Sequence, residues 1–366
     1  MKTYDIYIRL IRLGIGKEDN PKYLNHILQG RIDWEDFESF AFQQGVTAVV
    51  MDALDVLSAN DSEIIKSLPQ RKRLEWIGNV LYNYETRYDA YIKAMSSLAR
   101  FYNENGYRMM LLKGYACGLN WPNSKHRPYG DIDIWLFGNQ ASADETIKKE
   151  KGIKVDTSHH HHTTFEWEGF LVENHYDFVN TKDLKTSRSM EKIFKELGMN
   201  DSYSIDIEGK RVYLPSPDLH ALFLIRHLAL HFASVSINLR QMIDWGFFVE
   251  KHTDKINWSW LCDTLKKYHM MDFFNCINAI CVGDFGFSAK IFPNVQFEPS
   301  LKDKMVKDIL EPEFVAEEPK HFFPRLLYKY QRWQGNAWKQ NLCFGESRRA
   351  FFWRSLWAHL LKPKSL

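Results

Sequence analysis

Apolar positions recur at helical spacing through both ends of the chain, and at strand spacing only in its middle. Residues 4–15 predict one helix and 22–58 more than one. Asp33 has the place of an N-cap, with Glu35 and Asp36 in the first turn and Phe37, Phe40 and Ala41 on one face. Gln44-Gly-Val-Thr47 breaks that helix, and Ala48–Leu57 resumes one. From Pro69 to Asn105 a stripe runs through Leu74, Ile77, Val80, Leu81, Tyr84, Tyr88, Tyr91, Ile92, Met95, Leu98 and Phe101. It predicts a single long helix packed on that face, ended by Gly106 as a C′ glycine.

The period then changes. Met109–Leu112 is a short buried strand, and a second apolar run follows Asp131. Residues 164–178 alternate as a hairpin turning at Glu168-Gly169. In its second strand Phe170, Val172, Tyr176 and Phe178 share one face, and Leu171, Glu173, His175 and Asp177 the other. Three polar groups in a row are costly inside a sheet unless they face a site or water. Residues 141–151 predict a polar helix, and 183–214 a polar connector with a second hairpin around Glu208-Gly209-Lys210. Ser216 or Asp218 caps a helix over Leu219–Phe232, and the remainder is mostly helical. The fold class expected is α+β: a small mixed β-sheet core (107–214) between an N-terminal helical region (1–106) and a C-terminal helical domain (215–366).

Composition narrows this only a little. A net charge of +2 gives no general argument for nucleic-acid binding. Five cysteines at 117, 262, 276, 281 and 343 form no Cys-x-x-Cys and predict reduced, buried thiols. Residues 1–9 carry charge where a signal peptide is apolar, and no window approaches a membrane span, so a cytoplasmic protein is expected. From Lys320 onward ten Lys/Arg and a lone Glu346 interleave with aromatic residues, among them Phe351, Phe352, Trp353 and Trp357. Such a tail (320–366) suits contact with an anionic surface, or a docked helix with a cationic outer face.

The chemistry concentrates in the middle. Asp131 and Asp133 stand two apart in an otherwise apolar run, so a strand puts both carboxylates on one face and Ile132 and Ile134 on the other. Two ionised, unpaired carboxylates at that spacing repel, and a hard cation such as Mg²⁺ relieves the repulsion. Gly114 sits at a strand-to-helix turn, where backbone can approach an anion, and Lys113 offers a point charge beside it. Arg127 is placed to hold a phosphate bidentately or to neutralise the carboxylates when no metal is bound. Gly130 permits close approach just before Asp131. His227 and His231 share a helix face as core or site-lining rings, and Arg240 and Asp244 form an i, i+4 pair. His159-His160-His161-His162 cannot all face one ion from a strand, which splits them two and two.

Leu112-Lys113-Gly114, then Arg127-x-x-Gly130-Asp131-Ile-Asp133, resembles the nucleotidyltransferase superfamily with the DNA polymerase β-like fold. The pattern is similar to its bacterial subgroup of uncharacterised nucleotidyltransferases, whose downstream strand carries Glu-x-His, matched here by Glu173-Asn-His175. The matching motifs span roughly 107–180. The resemblance implies metal-dependent transfer of a nucleoside monophosphate from an NTP to a hydroxyl acceptor that the sequence does not name. It implies that Asp131, Asp133 and Glu173 hold Mg²⁺ or Mn²⁺, with Asp177 competing for the third place. Glu173 or His175 would take the acceptor proton, and Lys113, Gly114, Arg127, Gly130 and Arg240 would contact the nucleotide. One of His160 or His162 would face the site. Many superfamily members carry Ser at the position of Gly130, so phosphate contacts there are backbone only. A protein of the same fold that binds nucleotide, RNA or a partner without chemistry is the alternative.

Overall fold

The structure is a computed structural model that describes residues 3–345 apart from 19, 21, 23, 25–31, 61, 62, 183, 185, 294, 295, 315–318 and 320. Helices α1 (Thr3–Gly14), α2 (Trp34–Gln43) and α3 (Thr47–Ala59) open it. Asp33 caps α2 as expected: its carboxylate accepts the backbone N–H of Glu35 at 3.0 Å and of Asp36 at 3.1 Å. The short α4 (Glu63–Ser67) follows.

The long helix departs from expectation. It runs as α5 (Gln70–Val80), a π-helical segment (Leu81–Thr86) and α6 (Arg87–Glu104). A π turn takes an extra residue, so the buried face rotates across it. Ahead of the segment the buried positions are Lys72, Trp76 and Val80, while Leu74, Ile77 and Leu81 are 61%, 39% and 50% exposed. Beyond it Tyr91, Met95, Leu98 and Phe101 are buried as the stripe predicts. Gly106 ends this element at φ +77°.

Next come β1 (Met110–Leu111), a four-residue α7 (Tyr115–Gly118), β2 (Ile132–Trp135), α8 (Gln140–Lys151), and the hairpin β3 (His162–Trp167) and β4 (Phe170–His175). The polar connector is not plain connector. It contains the 14-residue α9 (Ser187–Asn200), whose Met190 and Phe194 are buried among polar neighbours that masked the pattern. Its hairpin, β5 (Tyr203–Ile207) and β6 (Lys210–Leu214), joins the main sheet. Helices α10 (Pro217–Ser234), α11 (Leu239–His252), α12 (Trp258–Lys267), α13 (Met271–Gly283), α14 (Pro299–Leu310), α15 (Phe322–Gly335) and α16 (Ala337–Cys343) complete the described chain. Residues 346–366, with Phe351, Phe352, Trp353 and Trp357 of the basic tail, lie outside the described residues.

The six strands form one mixed sheet in the order β3-β4-β2-β1-β6-β5. β2 runs parallel to β4 and β1 parallel to β6, and the remaining neighbours are antiparallel. The α+β architecture with a small mixed sheet between helical regions is therefore the one found. Strand alternation divides the sheet into two faces. Leu111, Ile132, Ile134, Val172 and Val212 belong to one core with Met95 and Leu98 of α6 and Ile147 of α8. Met110, Leu112, Trp135 and Phe137 belong to another core with Phe194 of α9 and Phe223 of α10. That second core also takes in Tyr7, Phe37 and Trp76, so helices from both ends of the chain share it. Among the described residues no helix is long and apolar enough to cross a membrane.

Candidate active site

The register of the parallel pair β2/β4 sets Asp133 directly beside Glu173. Both project from the sheet face opposite α6, into a cavity of about 1270 Å³. Lys113, at the end of β1, brings its Nζ to 2.7 Å from Asp133 Oδ1. His175 Nε2 lies 3.1 Å from that same oxygen and 3.4 Å from Glu173 Oε2. Asp133 Oδ2 is buried without a hydrogen-bond partner. Two carboxylates, one imidazole and one ammonium thus meet at the pocket floor, with one carboxylate oxygen unused.

The charges are strongly coupled. Burial would push the Asp133 carboxyl up, but the Lys113 charge and the His175 hydrogen bond hold it below its ordinary value. Glu173 is likewise held far below the carboxylate range against its burial, by His175 and Lys113. Burial would lower His175, yet its hydrogen bonds to Asp133 and Glu173 raise it to about 9. Asp131 moves the other way, raised by the neighbouring Asp133 charge and by burial. It lines the same cavity but stands outside the tight group of Asp133, Glu173 and His175, whose ligand atoms lie within 4.8 Å of one another.

Gly114 adopts φ +46°, ψ −99°, and a Cβ there would stand 2.7 Å from the Tyr91 hydroxyl. Tyr91 in turn donates to the Asp131 carbonyl at 3.2 Å, so one α6 side chain holds the glycine turn against the aspartate strand. The sequence stripe marked Tyr91 only as core. Gly130 is different: a Cβ there meets nothing within 4 Å, so open space adjoins the first aspartate.

Arg127 is 3% exposed and does not pair with Asp131 or Asp133. Its Nε and a terminal nitrogen donate to Asp244 Oδ1 and Oδ2 at 2.8 and 3.0 Å. Arg240 donates to the same Oδ2 at 3.1 Å, and Trp121 Nε1 to Oδ1 at 2.8 Å. The neutralising role expected of Arg127 is carried instead by Lys113 and His175. A third hub residue, Asp244, anchors both arginines in the pocket wall. Sequence reasoning saw it only as a helical partner of Arg240, because the Arg127 contact spans a loop and a helix far apart in the chain. Asp177, the rival third carboxylate, pairs with Lys195 of α9.

The first three histidines of the run precede β3, and only the last lies within it. Residues 159–161 form a bend, and β3 starts at His162. The two-and-two division therefore does not apply, and His159, His161 and His162 all line the cavity, whereas His160 does not. His227 and His231 of α10 line it from another side, both neutralised by burial. Phe323, Leu327, Tyr330 and Trp333 of α15 complete the wall.

A family described as "Uncharacterised nucleotidyltransferase" matches residues 30–282, which include every pocket carboxylate named above. The chain belongs to this family. No curated protein matches this family member. Among solved structures, the crystal structure of an antigenic nucleotidyltransferase-like protein from Paracoccidioides brasiliensis is similar at 13% identity and a TM-score of 0.35, covering 56% of this chain and 98% of that one. In this member of the nucleotidyltransferase family, the residues present suit a divalent cation. A buried carboxylate oxygen lacks a partner, and an ammonium and an imidazolium stand where a cation would.

Proposed function

We propose that the chain transfers a nucleoside monophosphate from an NTP to a hydroxyl acceptor, with Mg²⁺ or Mn²⁺ held by Asp131, Asp133 and Glu173. The observation that carries this reading is Asp133 beside Glu173 in parallel register, with its Oδ2 unpartnered on the floor of a deep cavity. That cavity exceeds the roughly 300–1,000 Å³ of a site for one small molecule, which supports two substrates side by side.

The ions, when bound, supply charge stabilisation for an in-line displacement at the α-phosphorus. The protein groups do the rest. Glu173 accepts the proton of the attacking hydroxyl. The new bond joins the acceptor oxygen to the α-phosphorus, the bond to the bridging oxygen breaks, and pyrophosphate leaves. His175 orients Glu173 through its hydrogen bond. Lys113, released from Asp133, and Arg240, whose Nε is buried without a partner, offset the charge on the leaving group. Gly130 leaves room for phosphate oxygens to approach the backbone, and Gly114, packed against Tyr91, shapes the turn that would face them. Arg127 fixes the loop ahead of Gly130 by its clamp on Asp244, and contributes field rather than a free fork. The aromatic and basic side chains of α15 form the wall for the acceptor.

The test is transfer of label from α-labelled NTPs in the presence of Mg²⁺ or Mn²⁺ and a cell lysate. Label that moves to a macromolecule or metabolite with the unaltered protein, and not with Asp133→Asn, supports the reading. Equal labelling by both proteins refutes it.

A further inference from the structure

Beside the carboxylates lies a second donor group of different chemistry. His161, His162 and His175 each offer a ring nitrogen within 4.8 Å of the others. The ring centroids of His161 and His162 are 4.4 Å apart, and those of His162 and His175 5.2 Å apart. The backbone holds this arrangement. The His161 carbonyl accepts the N–H of Tyr176 at 3.0 Å and of Asp177 at 3.1 Å, tying the bend to the end of β4. His162 pairs with His175 across the β3/β4 ladder.

Nothing within the protein uses the rings of His161 and His162 fully. His161 Nδ1 and His162 Nδ1 are both buried without a hydrogen-bond partner, a cost that folding does not normally leave uncompensated. His175 Nδ1 faces the Asp177 carbonyl at 3.4 Å, the kind of outer contact a ligating ring makes, and Nε2 would exchange its contacts with Asp133 and Glu173 for the metal. Glu173 Oε1 stands 4.0 Å from His162 Nε2, beside the three rings but outside their group.

We propose that His161, His162 and His175 form a binding site for a borderline transition-metal ion such as Zn²⁺, with a solvent molecule in the fourth position. Three imidazoles select such a metal over Mg²⁺, which takes oxygen ligands. Zn–N bonds of about 2.0–2.1 Å in a tetrahedron place donors roughly 3.3 Å apart, against at most 4.8 Å between these ring nitrogens. A bound ion would join the histidine bend to the strand that carries Glu173. It would thereby fix the carboxylate floor from one side. The site forms whether or not the chain transfers nucleotides.

The experiment is a Co²⁺ titration of the metal-stripped full chain, without nucleotide and with millimolar Mg²⁺ present. The expected result is one Co²⁺ per chain, with the intense visible absorption of a nitrogen-rich tetrahedral site. Zn²⁺ displaces it and Mg²⁺ does not. His161→Ala and His162→Ala each weaken binding by about 10-fold or more, while His160→Ala leaves it unchanged. Absence of binding, displacement by Mg²⁺, insensitivity to both single variants, or loss with His160→Ala overturns the proposal. If the variants fail to fold, zinc X-ray absorption on the unaltered protein decides. A shell with three imidazoles supports the site, and an oxygen-only shell overturns it.

Discussion

Two buried aspartates in one cavity are treated in opposite ways. Asp244 meets two guanidinium groups and an indole N–H, and both its oxygens are engaged. Asp133 meets an ammonium and an imidazole on a single oxygen, and its other oxygen is bare. A saturated buried charge holds structure together, because removing one partner strands the others. A half-satisfied one is costly to keep and points to a ligand. The difference separates scaffold from site without reference to any relative.

Breaking the saturated hub should give the largest effect on folding. Asp244→Ala strands Arg127 and Arg240 in the wall and should cost about 3–5 kcal/mol in urea denaturation. Asp133→Asn should do the reverse: it should lower transfer by about 10²–10³-fold while changing stability by no more than about 1 kcal/mol. A stable Asp244→Ala protein, or an Asp133→Asn protein that unfolds, would erase the contrast.

Gly114→Ala tests the turn that both halves rely on. Its Cβ would collide with the Tyr91 hydroxyl at an unfavourable φ, so a loss of about 1–3 kcal/mol is expected in thermal melts. Gly130→Ala, with open space around it, should change stability by less than about 0.5 kcal/mol. A similar cost at both positions would show that the two glycines are not distinct in kind.

Glu191 is an intermediate case. It accepts the backbone N–H groups of Phe178 and Val179 at 3.1 Å each, and burial nevertheless raises it to about 7. Its unfolded value is near 4.5, so between about pH 4.5 and 7 the folded chain holds the extra proton. Stability contributed by this group is present below that window and is lost as pH rises through it. Glu191→Gln should flatten the stability profile between pH 4.5 and 7, measured by chemical denaturation at each pH.

Much of this was legible from residue order. The Asp33 cap, the Gly106 stop, the Glu168-Gly169 turn and the shared face of Asp133 and Glu173's strand neighbours all follow from local chemistry. What was hidden depends on distance or on helix phase. The Arg127 clamp needs α11 folded over the 121–130 loop, which no spacing rule encodes. The exposed Leu74, Ile77 and Leu81 follow from a π segment whose extra residue leaves no compositional mark. The paired entry of His161 and His162 into the cavity arises because the run sits on a bend, where strand alternation does not hold. α9 was missed because its apolar side chains, Met190, Ile193, Phe194 and Leu197, are interspersed with charged neighbours.

The cavity's floor and its far wall are made at different times. Lys113, Asp133 and Glu173 precede α9 in the chain, whereas Tyr330 and Trp333 come after α14. A ribosome adding about 5–20 residues per second needs roughly 10 s or more to pass from one to the other. During translation the residues of the acidic floor are therefore made before those of the α15 wall, and the cavity is complete only when α15 arrives.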